Sequence, residues 1–235
     1  MKILYLSPEI TPFAKTGGLA DVAQALPKAL KALGHDIRTV MPKYLSLAQQ
    51  NLAMERVTPY PVQMHNGLQG AVLWQTENDA VPTYFIENEA YFNREEFYGL
   101  GDRDYPDNLE RFVFFCKAAL EGCNTIDFST DVIHCNDWQT AALPGILKAT
   151  YVAYRKDPFF SPVPKLVYTI HNISYQGRFF EDHWQILSLP RSYYTSDFEF
   201  YGQINLTKSA IHLADAITTV IETYAREIRT TDFGF

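Results

Sequence analysis

Lys15-Thr16-Gly17-Gly18 places an ammonium and two glycines just ahead of an apolar series at helical spacing: Leu19, Val22, Ala23, Leu26, Leu30 and Leu33. A short apolar run, Ile3-Leu4-Tyr5-Leu6, comes before the loop and reads as a buried strand. The glycines therefore stand where a strand turns into a helix. Glycine accepts positive φ and lets a ligand approach the backbone closely. The first amides of a helix have no partner inside it, and the helix dipole favours negative charge there. With the Lys15 ammonium beside them, these groups suit a phosphate. The pattern is neither Gly-x-Gly-x-x-Gly nor a Walker loop. On the local argument a plain tight connection, with Lys15 as a solvated charge, stays open.

Further polar groups stand just after other apolar runs. Asp137 follows residues 131 to 135, and His171 and Asn172 follow residues 165 to 170. Asp137 could equally cap a helix starting at Trp138, since Asp is favoured at that position. His171 could simply cap its strand, and His134, inside a strand, reads as structural. Asn205 reads as a helix cap or a surface amide. Tyr91 and Tyr175 read first as packing residues.

These groups matter only if the elements bring them together. Residues 2 to 7 form a strand, a helix runs past Pro27 to a cap near Gly34, and residues 36 to 42 form a second strand. That order begins a doubly wound parallel sheet. Candidate strands follow at 57 to 64, 70 to 75 and 81 to 86, with Asn66-Gly67 as the turn between the first pair. They predict a small antiparallel meander at the sheet edge. Residues 91 to 105, rich in aromatics and charges, read as an ordered loop on a cleft rim. Pro106 opens a helix to about residue 122, with Leu109, Phe112, Val113, Cys116, Ala119 and Leu120 at helical spacing. Strands at 131 to 135 and 165 to 170 flank a helix starting at Trp138. Residues 179 to 203 predict short helices in an aromatic region, followed by a helix (204 to 214), a strand (216 to 220) and a final helix (222 to 229). The fold class expected is α/β: a Rossmann-like parallel sheet flanked by helices, with the meander on its edge. Ligands of open parallel sheets bind at the carboxyl ends of the strands. The loop at Lys15, Asp137 and His171-Asn172 all occupy that position, so they should converge on one crevice.

Composition excludes several classes. The net charge of −7 lacks the basic footprint of a nucleic-acid surface. No apolar run approaches the roughly 18 residues needed to span a membrane. The odd cysteine count, Cys116, Cys123 and Cys135, without Cys-x-x-Cys spacing, reads as reduced thiols in a cytoplasmic or plastid-like compartment. The chain begins on a strand with no signal-peptide pattern. An apolar fraction of 47% supports a substantial core, and 15 Tyr suit a sugar-binding cleft as well as a core. No Gly-x-Ser-x-Gly elbow, His-Glu-x-x-His pattern or complete calcium loop is present.

In five segments the chain resembles the N-terminal half of bacterial and plant glycogen (starch) synthases, retaining glucosyltransferases of the GT-B architecture. They are residues 15 to 22 (KTGGLADV), 104 to 112 (DYPDNLERF), 134 to 139 (HCNDWQ), 169 to 177 (TIHNISYQG) and 223 to 228 (TYAREI). The resemblance runs nearly end to end, in order. It implies that residues 1 to 235 form one Rossmann-like domain and that a C-terminal nucleotide-binding domain lies outside this chain. It implies transfer of glucose from ADP-glucose to the non-reducing end of an α-1,4-glucan, with retention and with no metal or other cofactor. Isolated, such a half is expected to be inactive.

The resemblance also assigns roles. Lys15 and the Gly17-Gly18 backbone would stabilise the leaving diphosphate, where charge grows as the glycosidic bond breaks. His171 would bind the transferred glucosyl unit. Asp137 and Asn205 would bond sugar hydroxyls, with Asn172 and Tyr175 shaping the same pocket. Tyr91 would stack on the acceptor, and Asp21 would lie near the nucleotide. The chain departs from the family pattern at Ile221-Glu222, where Ser-Pro is usual, and at Lys208-Ser209-Ala210, where Lys-x-Gly is usual. The alternatives are a glucan-binding module without catalysis, or a GT-B enzyme of another specificity such as a sucrose synthase relative. The Lys15-Thr16-Gly17-Gly18-Leu19 loop argues against the latter.

Overall fold

The computed structural model describes residues 1–50, 52–232 and 234. Strand β1 (Lys2–Leu6) leads through a loop into α1 (Gly18–Ala32) and back to β2 (Asp36–Pro42). A one-turn α2 (Leu45–Ala48) precedes β3 (Glu55–Met64), β4 (Gly67–Asn78) and β5 (Val81–Glu87). Then come α3 (Glu89–Phe92), the short hairpin β6 (Gly99–Leu100) and β7 (Arg103–Asp104), and the long α4 (Asn108–Thr125). Strand β8 (Val132–Asn136) is followed by a 3₁₀ turn at Trp138–Thr140, α5 (Leu143–Ile146) and a π-helical stretch, Leu147–Tyr154. Strand β9 (Lys165–Ile170) precedes β10 (Arg178–Phe180), α6 (Arg191–Tyr193), β11 (Glu199–Phe200) and β12 (Gln203–Asn205). After these come α7 (Leu206–Leu213), β13 (Ala216–Thr219) and α8 (Glu222–Glu227).

The main sheet has eight strands in the order β13-β9-β8-β1-β2-β5-β4-β3. From β13 to β5 all neighbours are parallel. Strands β3 and β4 complete an antiparallel edge. The meander expected from sequence is therefore real, but its third strand, β5, also pairs in parallel with β2 and belongs to the parallel sheet itself. The loop expected at 91 to 105 holds the end of α3 and the β6–β7 hairpin. The helix expected from Pro106 begins two residues later. The helix expected at Trp138 is only a 3₁₀ turn before α5.

Burial follows the residue types. Ile3, Leu4, Tyr5 and Leu6 of β1 are all buried, as the centre of a sheet covered on both faces requires. Helix α4 is buried on every side: Phe114, Phe115 and Ala118 are as enclosed as the stripe of Leu109, Phe112 and Cys116. It packs against β3 on one side and α5 on the other. Helix α1 departs from its apolar stripe. Its buried residues are Ala20, Ala23 and Pro27, while Leu19, Val22, Leu26 and Leu30 are half-buried and Leu33 is exposed. Small residues on the inner face let the helix approach the sheet closely, and the leucines flank that contact. The helix stays continuous through Pro27. It stops at Gly34, whose φ of +87° allows the His35 amide to reach back to the Leu30 carbonyl.

Gly177, after β9, is held more tightly. Its φ is +62°, and a Cβ there would lie 2.8 Å from Trp138 Cε3. Gly177→Ala is expected to cost about 2 kcal/mol or more through backbone strain and this clash. Gly70→Ala, whose Cβ would meet nothing within 4 Å, is the control. Urea midpoints of the two variants measure the difference.

Candidate functional site

Strand β1 pairs with β2 on one side and β8 on the other. The chain thus winds outward from β1 in both directions, and its switch point lies at the carboxyl ends of β1 and β8. Ligands of open α/β sheets sit in the crevice there. A cleft of about 910 Å³ occupies this place. It is lined by Gly17 and Gly18 after β1, Asp137 after β8, and His171, Asn172 and Tyr175 after β9. The convergence expected from sequence is therefore present for these six residues. A separate groove of about 540 Å³ over β3 and β4 holds none of them.

On the β1 side, Gly17 caps α1 with extended geometry (φ −153°, ψ −163°), and Gly18 opens the helix. Neither uses the positive φ that sequence reasoning allowed for. A Cβ on either residue would meet nothing within 4 Å. Both glycines face open cleft, so the chain's own packing does not require them. Lys15 lies outside the lining. Its ammonium donates to both carboxylate oxygens of Asp21 at 2.7 Å, and both side chains are about half exposed. That hydrogen bond is the main cause holding the Asp21 carboxyl below its ordinary value. The two residues predicted to act separately thus form one pair at the mouth of the loop.

On the β8 side, Asp137 adopts φ 55° and ψ 179°, a region almost reserved for glycine. Its carboxylate accepts from the His171 amide at 2.7 Å and the Asn172 amide at 3.4 Å. Its own amide donates to the Thr169 carbonyl at 3.0 Å. The strained residue therefore ties the ends of β8 and β9 together. It precedes the 3₁₀ turn without a side-chain cap, so the helix-cap alternative does not hold. Burial raises its carboxyl to about 7, against the opposing pull of the two amides; the charge of Glu9 adds to the rise.

The His171 ring is oriented from below. Asn136 Nδ2 donates to the Leu6 carbonyl at 2.8 Å, so Asn136 Oδ1 is left to accept. It accepts from Tyr5 Oη at 3.0 Å and pairs with His171 Nε2 at 2.9 Å. His171 Nε2 must then carry the proton. Nδ1 keeps its lone pair and has no partner among the described residues. Burial lowers the His171 pKa to about 4, so the ring is neutral near pH 7. Asn172 Oδ1 accepts from the Ser174 amide at 3.0 Å, and Tyr175 is 66% exposed on the rim.

Besides Lys15 and Asp21, two predicted site residues lie outside the lining. Tyr91 is buried beside Phe92 and Phe114, with its hydroxyl on Glu110 at 2.8 Å. Its ring faces are taken by the core, so the packing alternative holds and no face is free for an acceptor. Asn205 is fully buried and caps α7, accepting from the Lys208 amide at 2.9 Å. Its other contact, Nδ2 to Gln176 Oε1 at 2.8 Å, reaches the cleft wall only through Gln176. Sequence reasoning missed Glu9 and Tyr98, which line the cleft, and Asn136, which lies beneath it. No local spacing marks them, because their partners come from distant segments. The departure at Ile221 leaves α8 without a side-chain cap, yet α8 still starts at Glu222. Tyr224 Oη accepts from the Ile173 amide at 2.8 Å and anchors the helix beside the His171 loop.

A family model described as starch synthase catalytic domain matches residues 2–235. The chain belongs to the starch synthase catalytic-domain family. Among its relatives in that family, the glycogen synthase of Geotalea uraniireducens is 45% identical over 236 residues, covering 100% of this chain and 48% of that protein. Glycogen synthase 2 of Geobacter sulfurreducens is 44% identical with the same coverage. The chain spans about half the length of these curated relatives. The catalytic domain of starch synthase IV from Arabidopsis thaliana, solved with ADP and acarbose, superposes with a TM-score of 0.85 at 28% identity, over 98% of this chain and 47% of that one. The family's GT-B architecture agrees with the parallel sheet and its edge strands. Among the described residues, no helix is long and apolar enough to cross a membrane, and no group of three or more His, Cys, Asp or Glu is placed to hold a metal ion. Cys116, Cys123 and Cys135 are free and buried.

Proposed function

We propose that this chain forms one wall of the active site of a glycogen or starch synthase, moving glucose from ADP-glucose to the end of an α-1,4-glucan with retention. One observation carries the reading. The unobstructed start of α1, the Asp137 carboxyl and the neutral His171 all meet in the cleft at the switch point. The unpaired amides at the α1 N-terminus receive the diphosphate leaving group. Lys15 exchanges Asp21 for a phosphate oxygen, adding positive charge where negative charge develops. Asp21 then stays close to the nucleotide. His171, protonated on Nε2 and held by Asn136, cannot act as a proton donor to the leaving group; it positions the glucosyl unit. Asp137 orients the His171 and Asn172 backbone and lies within reach of sugar hydroxyls. Tyr175 offers a ring on the rim, and Asn205 supports the wall through Gln176. Residues 1 to 235 act as a single domain, facing a second, nucleotide-holding domain outside this chain. Nothing in this scheme calls for a metal.

The test uses Gly18→Ala in this chain joined to the second half of a glycogen synthase relative. Its Cβ touches no protein atom within 4 Å, so the melting temperature should stay near the parent's. Transfer from radiolabelled ADP-glucose to glycogen should fall by about tenfold or more, because the methyl group occupies the diphosphate's approach. Unchanged transfer would remove the α1 N-terminus from the donor site. A parent fusion that binds maltooligosaccharides but no ADP-glucose would replace the transfer reading with glucan binding.

A further inference from the structure

Glu9 is a buried carboxylate under a loop that should attract anions. It is 4% exposed and lines the cleft just below Thr16 and Gly17. Charge alone makes this placement unfavourable, since a carboxylate repels a diphosphate across a short distance. Its bonds show what it does instead. Glu9 Oε2 accepts from the Thr16 amide at 2.5 Å. Glu9 Oε1 accepts from the Thr16 hydroxyl at 2.7 Å and from the Tyr98 hydroxyl at 2.6 Å. Thr16 belongs to the loop after β1. Tyr98 lies 89 residues after Glu9, in the segment between α3 and α4 that contributes another part of the cleft rim.

That rim is itself fixed from below. Arg111, fully buried in α4, donates to the Tyr91 carbonyl at 2.7 Å and to the Phe97 carbonyl at 3.1 Å. Asn108 donates to the Tyr98 carbonyl at 2.8 Å. Arg94 is paired with Asp107. The segment carrying Tyr98 is thus held in place, and among the described residues Glu9 is the one side chain bonded both to it and to Thr16.

We propose that Glu9 is a positioning residue that clamps the Thr16-Gly17-Gly18 turn to the Tyr98 rim, so that the amides at the start of α1 are held in place before a diphosphate arrives. The inference rests on the donor-site reading above. It predicts that the two walls of the cleft are energetically coupled through one carboxylate. A clamp of this kind favours binding by removing the ordering cost at the moment of association.

The sign of one substitution separates this from simple electrostatics. Glu9→Met removes the negative charge and keeps much of the shape, but offers no oxygen to accept from the Thr16 amide. Electrostatics predicts tighter ADP binding in this variant. The clamp predicts weaker binding, by about tenfold, because the Thr16 donor loses its acceptor. Tyr98→Phe keeps the charge and removes only the anchor; it should weaken ADP binding by about threefold. Calorimetry with ADP, on this chain joined to the second half of a glycogen synthase relative, gives the affinities, and amide hydrogen exchange at Thr16, read by NMR on this chain, gives the clamp without any ligand. Exchange at Thr16 should be faster in both variants, with melting temperatures close to the parent's. Unchanged Thr16 exchange in both variants, or tighter ADP binding by Glu9→Met, would overturn the clamp. Absence of ADP binding by the parent would overturn the donor-site reading instead, while Thr16 exchange still decides for or against the clamp.

Discussion

Asp137→Gly should nearly abolish glucosyl transfer while leaving the fold about as stable as before. The reason is the conflict between its backbone and its side chain. The φ of 55° with ψ of 179° costs a non-glycine residue about 1–3 kcal/mol, and glycine releases that cost. Against this, the His171 and Asn172 amides lose their shared acceptor, at about 1 kcal/mol each. The two effects offset. Activity has no such compensation. The carboxylate fixes the backbone that carries His171, and a misplacement there of about 1 Å can cost 10²-fold in rate. Asp137→Asn keeps an oxygen for the His171 amide and should retain more activity than Asp137→Gly. Urea midpoints and ADP-glucose transfer, both measured in the fusion to a relative's second half, give the comparison. Transfer near the parental rate in Asp137→Gly would take this residue out of the site.

Stability should rise from pH 4 to pH 6.5, and His134→Gln should flatten or reverse that slope. Burial lowers both His134 and His171 to about 4 from an ordinary 6.5, with the charge of His171 adding to the shift at His134. In that window the unfolded chain binds protons that the folded chain does not, so acid favours unfolding. Asp137 works the other way. Its carboxyl is raised to about 7 from 3.8, so the folded chain holds a proton that the unfolded one lacks, and stability falls as pH rises. Two histidines against one carboxyl leave a net rise of roughly 2 kcal/mol. Removing His134 leaves one histidine against Asp137, and the balance tips. The lowered carboxyls of Asp21, Asp107 and Asp215 act below 3.8, outside the window. Lys117, lowered to about 8 by burial, acts above it. Melting temperatures across pH 4 to 7 for the parent, His134→Gln and Asp137→Asn test the account; in Asp137→Asn the rise should steepen. A slope in His134→Gln identical to the parent's would contradict it.

The main-sheet strands, the long helices and their order were legible in the residues alone; the β6–β7 hairpin and the three-stranded sheet of β10, β11 and β12, where residues 179 to 203 predicted only short helices, were not. Apolar runs at Ile3–Leu6 and Leu166–Ile170, glycines after β1 and the caps around α1 are local patterns, because strand and helix periods are set by neighbours a few residues apart. The positions of Asp137 and His171 in one crevice were legible too, because a parallel sheet puts every strand's carboxyl end on one side. The five family segments fall on these same strand ends and helices. What each side chain does there was not legible. Tyr91 has the same residue type and nearly the same setting as Tyr98, yet one is sealed against Phe114 and the other reaches Glu9 in the cleft. Asn205 is a buried cap rather than a wall residue, and Lys15 is paired with Asp21. Glu9 drew no notice in sequence, since its partners are Thr16, in a turn without regular period, and Tyr98, brought close only when α4 packs beneath the sheet. Sequence by itself determined the main-sheet strands, the long helices and the face on which the site lies, because those depend on short-range period and chain direction. The tertiary structure alone decided which polar groups are free for a ligand and which are already bonded, because hydrogen-bond partners are chosen by proximity in space and not along the chain.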